Sequence, residues 1–304
     1  MELTEYQRQA RRTDQRAHAD ADPMLVPLFG LATEVGSLLG QFKKKLRDGD
    51  AHEQFRDLAA EDLGDILWYC ATAASTLGLS LGDIAAGNLA KTHARWLPAL
   101  RLADASLLDS GFAPHEQFPR RFEIFFEVVD TDRGPRVQMT MDGRPVGNTL
   151  SDNAWEDMGY RWHDALHLAY VACLGWSPTM RGLMGHRRRS NPQLDEVEDG
   201  GRAIVLDEGI AAFTYDYARK HRYLDGITTI DDQLLKTIRS AVAGLEVETT
   251  SAAEWEHAIL QGFAVFRSLW RHNGGLVIGD LHARTLTYHQ QGATGEQHLH
   301  QQAA

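Results

Sequence analysis

A chain of 304 residues, 43% hydrophobic and 24% charged, has the make-up of one large globular domain or two ordinary ones. A formal net charge of −11 and a pI of about 5.7 exclude a protein that coats nucleic acid, which needs a basic face. The two cysteines, Cys70 and Cys173, are too few for a disulfide framework and read as buried thiols. No signal-type apolar core opens the chain, and no run reaches the ~18 apolar residues of a membrane span, so the expected setting is cytoplasmic, away from membrane.

In chain order, residues 3–20 read as a polar helix with Thr4 as its candidate cap. Helices follow from about Leu28 to Arg47, ended by Asp48-Gly49-Asp50, and from His52 to Leu77. Ser80 caps another from Leu81 to about Arg95, and Pro98 closes the module. Helices joined by such short turns imply a bundle. Residues 103–119 read as a linker. Beyond it, alternation at Phe122, Ile124, Phe126 and Val128, and again at Val137, Met139 and Met141, predicts an antiparallel hairpin or a longer meander, with a further turn at Asp142-Gly143. Helices are then expected from Asp152 or Asn153 to Leu174, from Pro178 to Met184, and over 203–222, 230–246 and 252–272, before a short apolar element at Leu276–Ile278. The polar tail, 289–304, reads as disordered. The expected fold class is mainly α, with an N-terminal helical domain over 1–102 and an α+β domain over 120–288.

Carboxylates gather at two places in the first module: Glu34 on one helix, and Glu61, Asp62 and Asp65 on the next. They sit among apolar residues, where unpaired acids are costly and like charges need a cation to coexist. Hard oxygen ligands from two helices suit Mg²⁺, or Mn²⁺ in its place. The segment from about Leu25 to Trp96 resembles the MazG-like all-α nucleoside triphosphate pyrophosphohydrolases. Glu34-Val-Gly-Ser37 and Asp62-Leu-Gly-Asp65 stand where that family has ExxE and ExxD, followed by the similar run ILWYCATAASTLGLSLGDIAAGNLAK. Ser37 departs from the family's second Glu, and Glu61 or Glu53 is the candidate replacement. The resemblance implies a Mg²⁺-dependent cleavage of a nucleoside triphosphate to the monophosphate and pyrophosphate; Glu34, Asp62 and Asp65 are the candidate ligands, and these three with Glu61 the candidate catalytic residues. It implies Asn88 and Lys91 on the triphosphate, with Arg95 one turn beyond. Lys43, Lys44 and Lys45 are the alternative, although cations also favour a helix C-terminus for ordinary reasons. Trp68 reads as core rather than a base-stacking platform. Family members are oligomers, so a homodimer or tetramer is implied.

A second candidate site lies downstream. Glu156, His163 and His167 fall on one predicted helical stripe, and two His four apart suit one metal. Glu196, Glu198, Asp199, Asp207 and Glu208 follow. His163 and His167 with Glu198 or Glu208 could hold a transition metal for phosphate-ester hydrolysis; the plain alternative is a pair of core histidines satisfied by carboxylates. His163-Asp164 is similar to the doublet of the HD phosphohydrolases, but no upstream His matches. Arg187, Arg188 and Arg189 form a basic loop suited to phosphate or simply to solvent, and Gly200-Gly201 would let a backbone approach an anion. Three functions therefore stand: the triphosphate pyrophosphohydrolase, a metal-dependent phosphohydrolase in the second domain, and a nucleotide sensor in which Ser37 marks lost catalysis.

Overall fold

The computed structural model describes residues 1–14, 22–96, 107–132 and 134–290. Part of the helix expected to reach residue 20, part of the expected linker and nearly all of the polar tail lie outside the described residues. The chain divides into two units, Met1–His93 and Ala94–Ala304.

The first unit is built from α1 (Leu3–Thr13), α2 (Leu25–Asp48), α3 (Phe55–Thr76) and most of α4 (Leu81–Trp96). Gln7 ties α1 to the α3–α4 turn: its side chain donates to the Leu79 carbonyl at 2.8 Å and accepts from the Leu81 amide at 2.8 Å. Its apolar centre is small, with Ala10, Ala71 and Leu81 buried and Leu3, Tyr6, Trp68 and Cys70 around them.

Helix α2 is inverted. It packs along α3, yet its covered or half-covered residues include Glu34, Ser37, Gln41 and Lys45, whereas Leu25, Leu28, Ala32, Val35, Leu39, Phe42 and Leu46 are exposed. Those seven recur at alternating steps of three and four, the spacing of a coiled-coil seam. The stretch Leu25–Ala51 is 27 residues long and contains an 18-residue window with a mean hydropathy of 1.3, so among the described residues one helix is long and apolar enough to cross a membrane by length and composition. Gly30, Thr33, Glu34, Gly36 and Gly40 interrupt its apolar residues, so no unbroken apolar run marks the helix in the sequence.

Among its described residues the second unit holds one antiparallel sheet and six α-helices beyond the end of α4. Strand β1 (Arg121–Thr131) lies at the centre, between β2 (Gly134–Met141) and β4 (Gly274–Asp280), with β3 (Arg144–Leu150) and β5 (Thr285–His289) at the edges, in the order β3-β2-β1-β4-β5. Alternation puts Phe122, Ile124, Phe126, Val137, Met139, Val146, Val277 and Leu286 on the buried face. That face packs on α5 (Asp164–Leu174), buried along its whole length, and α10 (Ala252–His272). Around them run α6 (Pro178–Leu183), α7 (Pro192–Val197), α8 (Gly201–Lys220) and α9 (Asp232–Ala241).

Three local expectations change. The helix expected from Asp152 starts only at Asp164, because the Asp152 carboxylate accepts from the Met158 and Arg161 amides and Gly159 turns left-handed at φ +74°. Strand β5 was not anticipated, whereas β3 is the next strand of the longer meander beyond Asp142-Gly143; both are short edge strands with weak alternation. The segment read as a linker contributes Leu107, Asp109, Glu116 and Phe118 to the buried interior, where Asp109 receives the Phe118 amide and the Arg120 and Arg181 guanidinium groups.

Candidate metal centre

His163 is the last residue before α5, and His167 sits one turn later on it. One helical turn puts both imidazoles on the same side. Helix α8 supplies the acids. Asp207 is fully buried and Glu208 half-buried. One ligand atom from each of His163, His167 and Glu208 lies within 4.8 Å of the others, and this is the group of three or more such ligands among the described residues.

The hydrogen bonds fix the tautomers. His163 Nδ1 is 2.9 Å from the Tyr160 carbonyl oxygen, which can only accept, so Nδ1 carries the proton. His167 Nδ1 is 2.8 Å from the Asp207 carboxylate. Asp207 in turn receives the Ser177 hydroxyl at 2.6 Å and the Thr179 amide at 3.1 Å. In the neutral imidazoles both Nε2 atoms are therefore lone pairs. His163 Nε2 faces Asp164 Oδ1 at 3.4 Å, and His167 Nε2, buried and without a hydrogen-bond partner among the described residues, faces Glu208 Oε2 at 3.5 Å. In that state acceptors meet acceptors, an arrangement that either a proton on the site or a bound cation relieves.

The electrostatics agree. Burial opposes charging His167, but Asp207 and then Glu208 and Asp164 outweigh it and hold its pKa well above the ordinary imidazole value. Glu208 is held below the usual carboxylate range, chiefly by His167 and against burial. Burial pushes the Asp164 carboxyl up, against the pull of His163 and His167. The field that would keep a proton on His167 is the field that would attract a metal ion. Two imidazoles and a carboxylate are a transition-metal donor set, and an ordering carboxylate behind a ligating His is its usual support. Mg²⁺, which prefers oxygen, fits this set poorly.

The other predicted residues fall elsewhere. Glu156 is exposed and outside any helix, so it leaves the stripe it was assigned to. Glu198 accepts from the Glu246 amide at 3.1 Å, away from the histidines. Glu196 is exposed. Arg188 is buried against Asp199 and Glu246, Arg187 pairs with Asp195 at 2.7 Å, and Arg189 alone of the triplet is exposed. In the first unit Asp62 is buried with Oδ2 unpartnered, Glu34 and Ser37 are half-buried, and Glu61, Asp65 and Glu53 are exposed. Asp62 and Asp65, expected on one face, thus differ in burial, and these acids do not gather as the histidine group does. Asn88, Lys91, Lys43 and Lys44 are exposed, and Lys45 pairs with Asp50 at 2.9 Å. Arg95 bonds Glu256 and the Ile230 carbonyl, each at 3.0 Å. Trp68 donates to Thr13 at 2.8 Å, beside the small apolar centre.

Sequence reasoning missed the parts played by Asp207, Ser177 and Thr179, and by Tyr160, whose ring lies parallel to His163 at 4.3 Å. The available signal was Tyr160 three residues before His163 and the acidic pair Asp207-Glu208 in an otherwise apolar helix.

Comparison with known proteins moves the family assignment. The model of the MazG C-terminal domain matches residues 103–292. The Gene 37 protein of Mycobacterium phage L5 is 41% identical over 70 residues, covering 22% of this chain and 60% of that protein, so the match spans about 60% of the relative's length. No solved structure matches. The resemblance had placed the MazG-like module in the N-terminal third and left the C-terminal domain unrecognised. The family match corrects both points: the architecture is mainly α with a mixed α+β region, and the MazG-related part is that mixed region. It contains His163, His167 and Glu208. With more than half of its length matched, the chain belongs to the MazG C-terminal domain family.

Proposed function

We propose that residues 103–292 form a metal-dependent hydrolase centred on His163, His167 and Glu208, with phosphate esters and phosphoanhydrides as its substrate class. One observation carries the reading: both Nδ1–H groups are tied to acceptors, which in the neutral imidazoles leaves two buried lone pairs close to the half-exposed Glu208 carboxylate. A bound transition metal would supply Lewis acidity and a water of lowered pKa. The chain's own residues do the rest. Asp207 holds His167 in its ligating tautomer, the Tyr160 carbonyl does the same for His163, and buried Asp164 stands beside His163 as a further carboxylate. Three protein ligands leave coordination positions for water and a substrate oxygen. Membership of a MazG-named family supports the phosphate class and makes nucleoside triphosphates the first substrates to try.

The test is metal analysis of the purified chain, followed by assay of the Zn²⁺-, Mn²⁺- and Co²⁺-loaded forms against a nucleotide and phosphodiester panel. About one metal per chain, lost in His167→Ala and Glu208→Gln together with turnover, is the expected result. Absence of bound metal, or turnover that survives both substitutions, would sink the reading.

A further inference from the structure

Tyr160 is anchored from several sides. Its ring stacks on His163 at 4.3 Å with 7° between planes, and meets Tyr215 edge-on at 4.7 Å. The carbonyl of Met158, two residues earlier, accepts from both Tyr215, at 2.6 Å, and Tyr223, at 3.3 Å. Gly159 between them is backed by the Trp270 ring. Tyr223 itself sits in a left-handed turn, with φ of +55°, +51° and +61° at Arg222, Tyr223 and Leu224. Such backbone is costly, by ~1–3 kcal/mol per residue, and persists only where surrounding structure enforces it. Here Arg267 donates to the Tyr223 carbonyl at 2.6 Å and Phe266 stacks on the Tyr223 ring.

The hydroxyl is what this scaffold leaves over. The second unit has six tyrosines, and five of them engage their hydroxyls: Tyr170 with Thr214, Tyr215 and Tyr223 with the Met158 carbonyl, Tyr217 with the Asp231 amide, and Tyr288 with the Gly274 carbonyl. Tyr160 is half-buried, and its hydroxyl has no hydrogen-bond partner among the described residues. A phenylalanine would serve the stack and the edge contact equally well. The donor is an addition that packing does not require.

We infer that Tyr160 is a further catalytic residue, whose hydroxyl donates a hydrogen bond to a substrate oxygen held at the His163–His167–Glu208 centre. The inference rests on the hydrolase reading above. The bond meets an oxygen that gains charge as the ester is attacked, and it supplements the metal without a proton having to transfer.

Tyr160→Phe removes the oxygen and keeps the ring. Full-length wild type and variant, loaded with the same metal, are assayed with p-nitrophenyl phosphate and bis(p-nitrophenyl) phosphate, and metal content is measured on the same samples. The expected result is equal metal content, a kcat lower by about 100-fold and a KM within about threefold of wild type. Tyr160→Leu, which also removes the stack, reports on packing: metal lost from that variant but retained by Tyr160→Phe separates ring from hydroxyl. Turnover by Tyr160→Phe within about twofold of wild type, with metal retained, overturns the inference and leaves the hydrolase reading standing. If loaded wild type cleaves neither probe, the hydrolase reading fails on them, and inorganic phosphate binding decides for Tyr160. A Kd raised about tenfold in Tyr160→Phe supports the donor role; an unchanged Kd, or no phosphate binding by either protein, overturns it.

Discussion

His167 Nδ1 and Asp207 Oδ1 lie 2.8 Å apart with both side chains fully buried, and that contact sets the chemistry of the centre. A carboxylate cannot donate, so it accepts from Nδ1–H, and in the neutral imidazole Nε2 is then a lone pair facing Glu208. Asp207 is itself fixed by Ser177 and by the Thr179 amide.

Asp207→Asn therefore lowers metal affinity by about 10–100-fold, because the amide NH₂ competes for Nδ1 and favours the tautomer with the proton on Nε2. Competition with a chromophoric chelator measures this, and far-UV circular dichroism checks that the fold is kept. Unchanged affinity would show that Asp207 does not set the tautomer.

Gly159 combines a φ of +74° with the Trp270 ring, whose atoms a Cβ would meet at 2.7 to 2.9 Å. Gly159→Ala is expected to cost roughly 1–3 kcal/mol of stability and to displace Tyr160 and, through its carbonyl, His163. Urea unfolding and metal content should both report it. A variant as stable and as well loaded as wild type would count against the clamp.

Asp109 makes stability pH-dependent. Burial raises its carboxyl, but the Phe118 amide and the Arg120 and Arg181 guanidinium groups prevail and hold it below its ordinary value. A pKa depressed in the folded state means the unfolded chain takes up the proton first. The stabilisation is complete above the unfolded value, ~3.9, and disappears as pH falls through the folded one. Urea titrations from about pH 6 downward should show that slope in wild type and a flatter one in Asp109→Asn. That variant should also lose ~3–5 kcal/mol near neutrality, since Arg181 is left buried with one partner fewer.

The outward seam of α2 calls for a cover, and a second copy of the chain is the proposed one. A stripe confined to steps of three and four suits helix-on-helix packing. The neighbouring α3 exposes Asp57, Glu61 and Asp65, which a bilayer would reject at ~2.5–3.5 kcal/mol each near its centre. Leu39→Asp should lower the solution mass measured by light scattering toward that of one chain, while Lys43→Glu, off the seam, should not. Wild type that is monomeric throughout, or that partitions into phosphatidylcholine vesicles, would refute the second copy.

The helical spans were legible because their periodicity and stops are local. Ala252–His272 begins at Ser251, which makes a full capping box with Glu254, and both residues are neighbours in sequence. The start of α5 was not legible: apolar spacing continues upstream of Asp164, and only the Asp152 side chain, folded back on Met158 and Arg161, shows that the segment is a turn. His163 and His167 could be paired from sequence because one helical turn fixes their separation. The choice between Glu198 and Glu208 could not be made, since both are acids at plausible distance along the chain. Helix α8 carries Glu208 to the histidines, and the Glu246 amide holds Glu198 elsewhere.

By itself the sequence determined what short-range rules control: a mainly helical chain, an antiparallel hairpin at Phe122–Met141, two histidines on one helical face and an inventory of acids. Periodicity, caps and turns act over a few residues, so the string encodes them directly. Tertiary structure alone decided which acid joins the histidines, which imidazole nitrogen is free, that the Arg188 side chain is a buried strut, and that α2 turns its apolar side outward. Each depends on groups tens of residues apart brought within a few ångströms, and no local pattern records where the packing of α5 against α8 and α10 will place them.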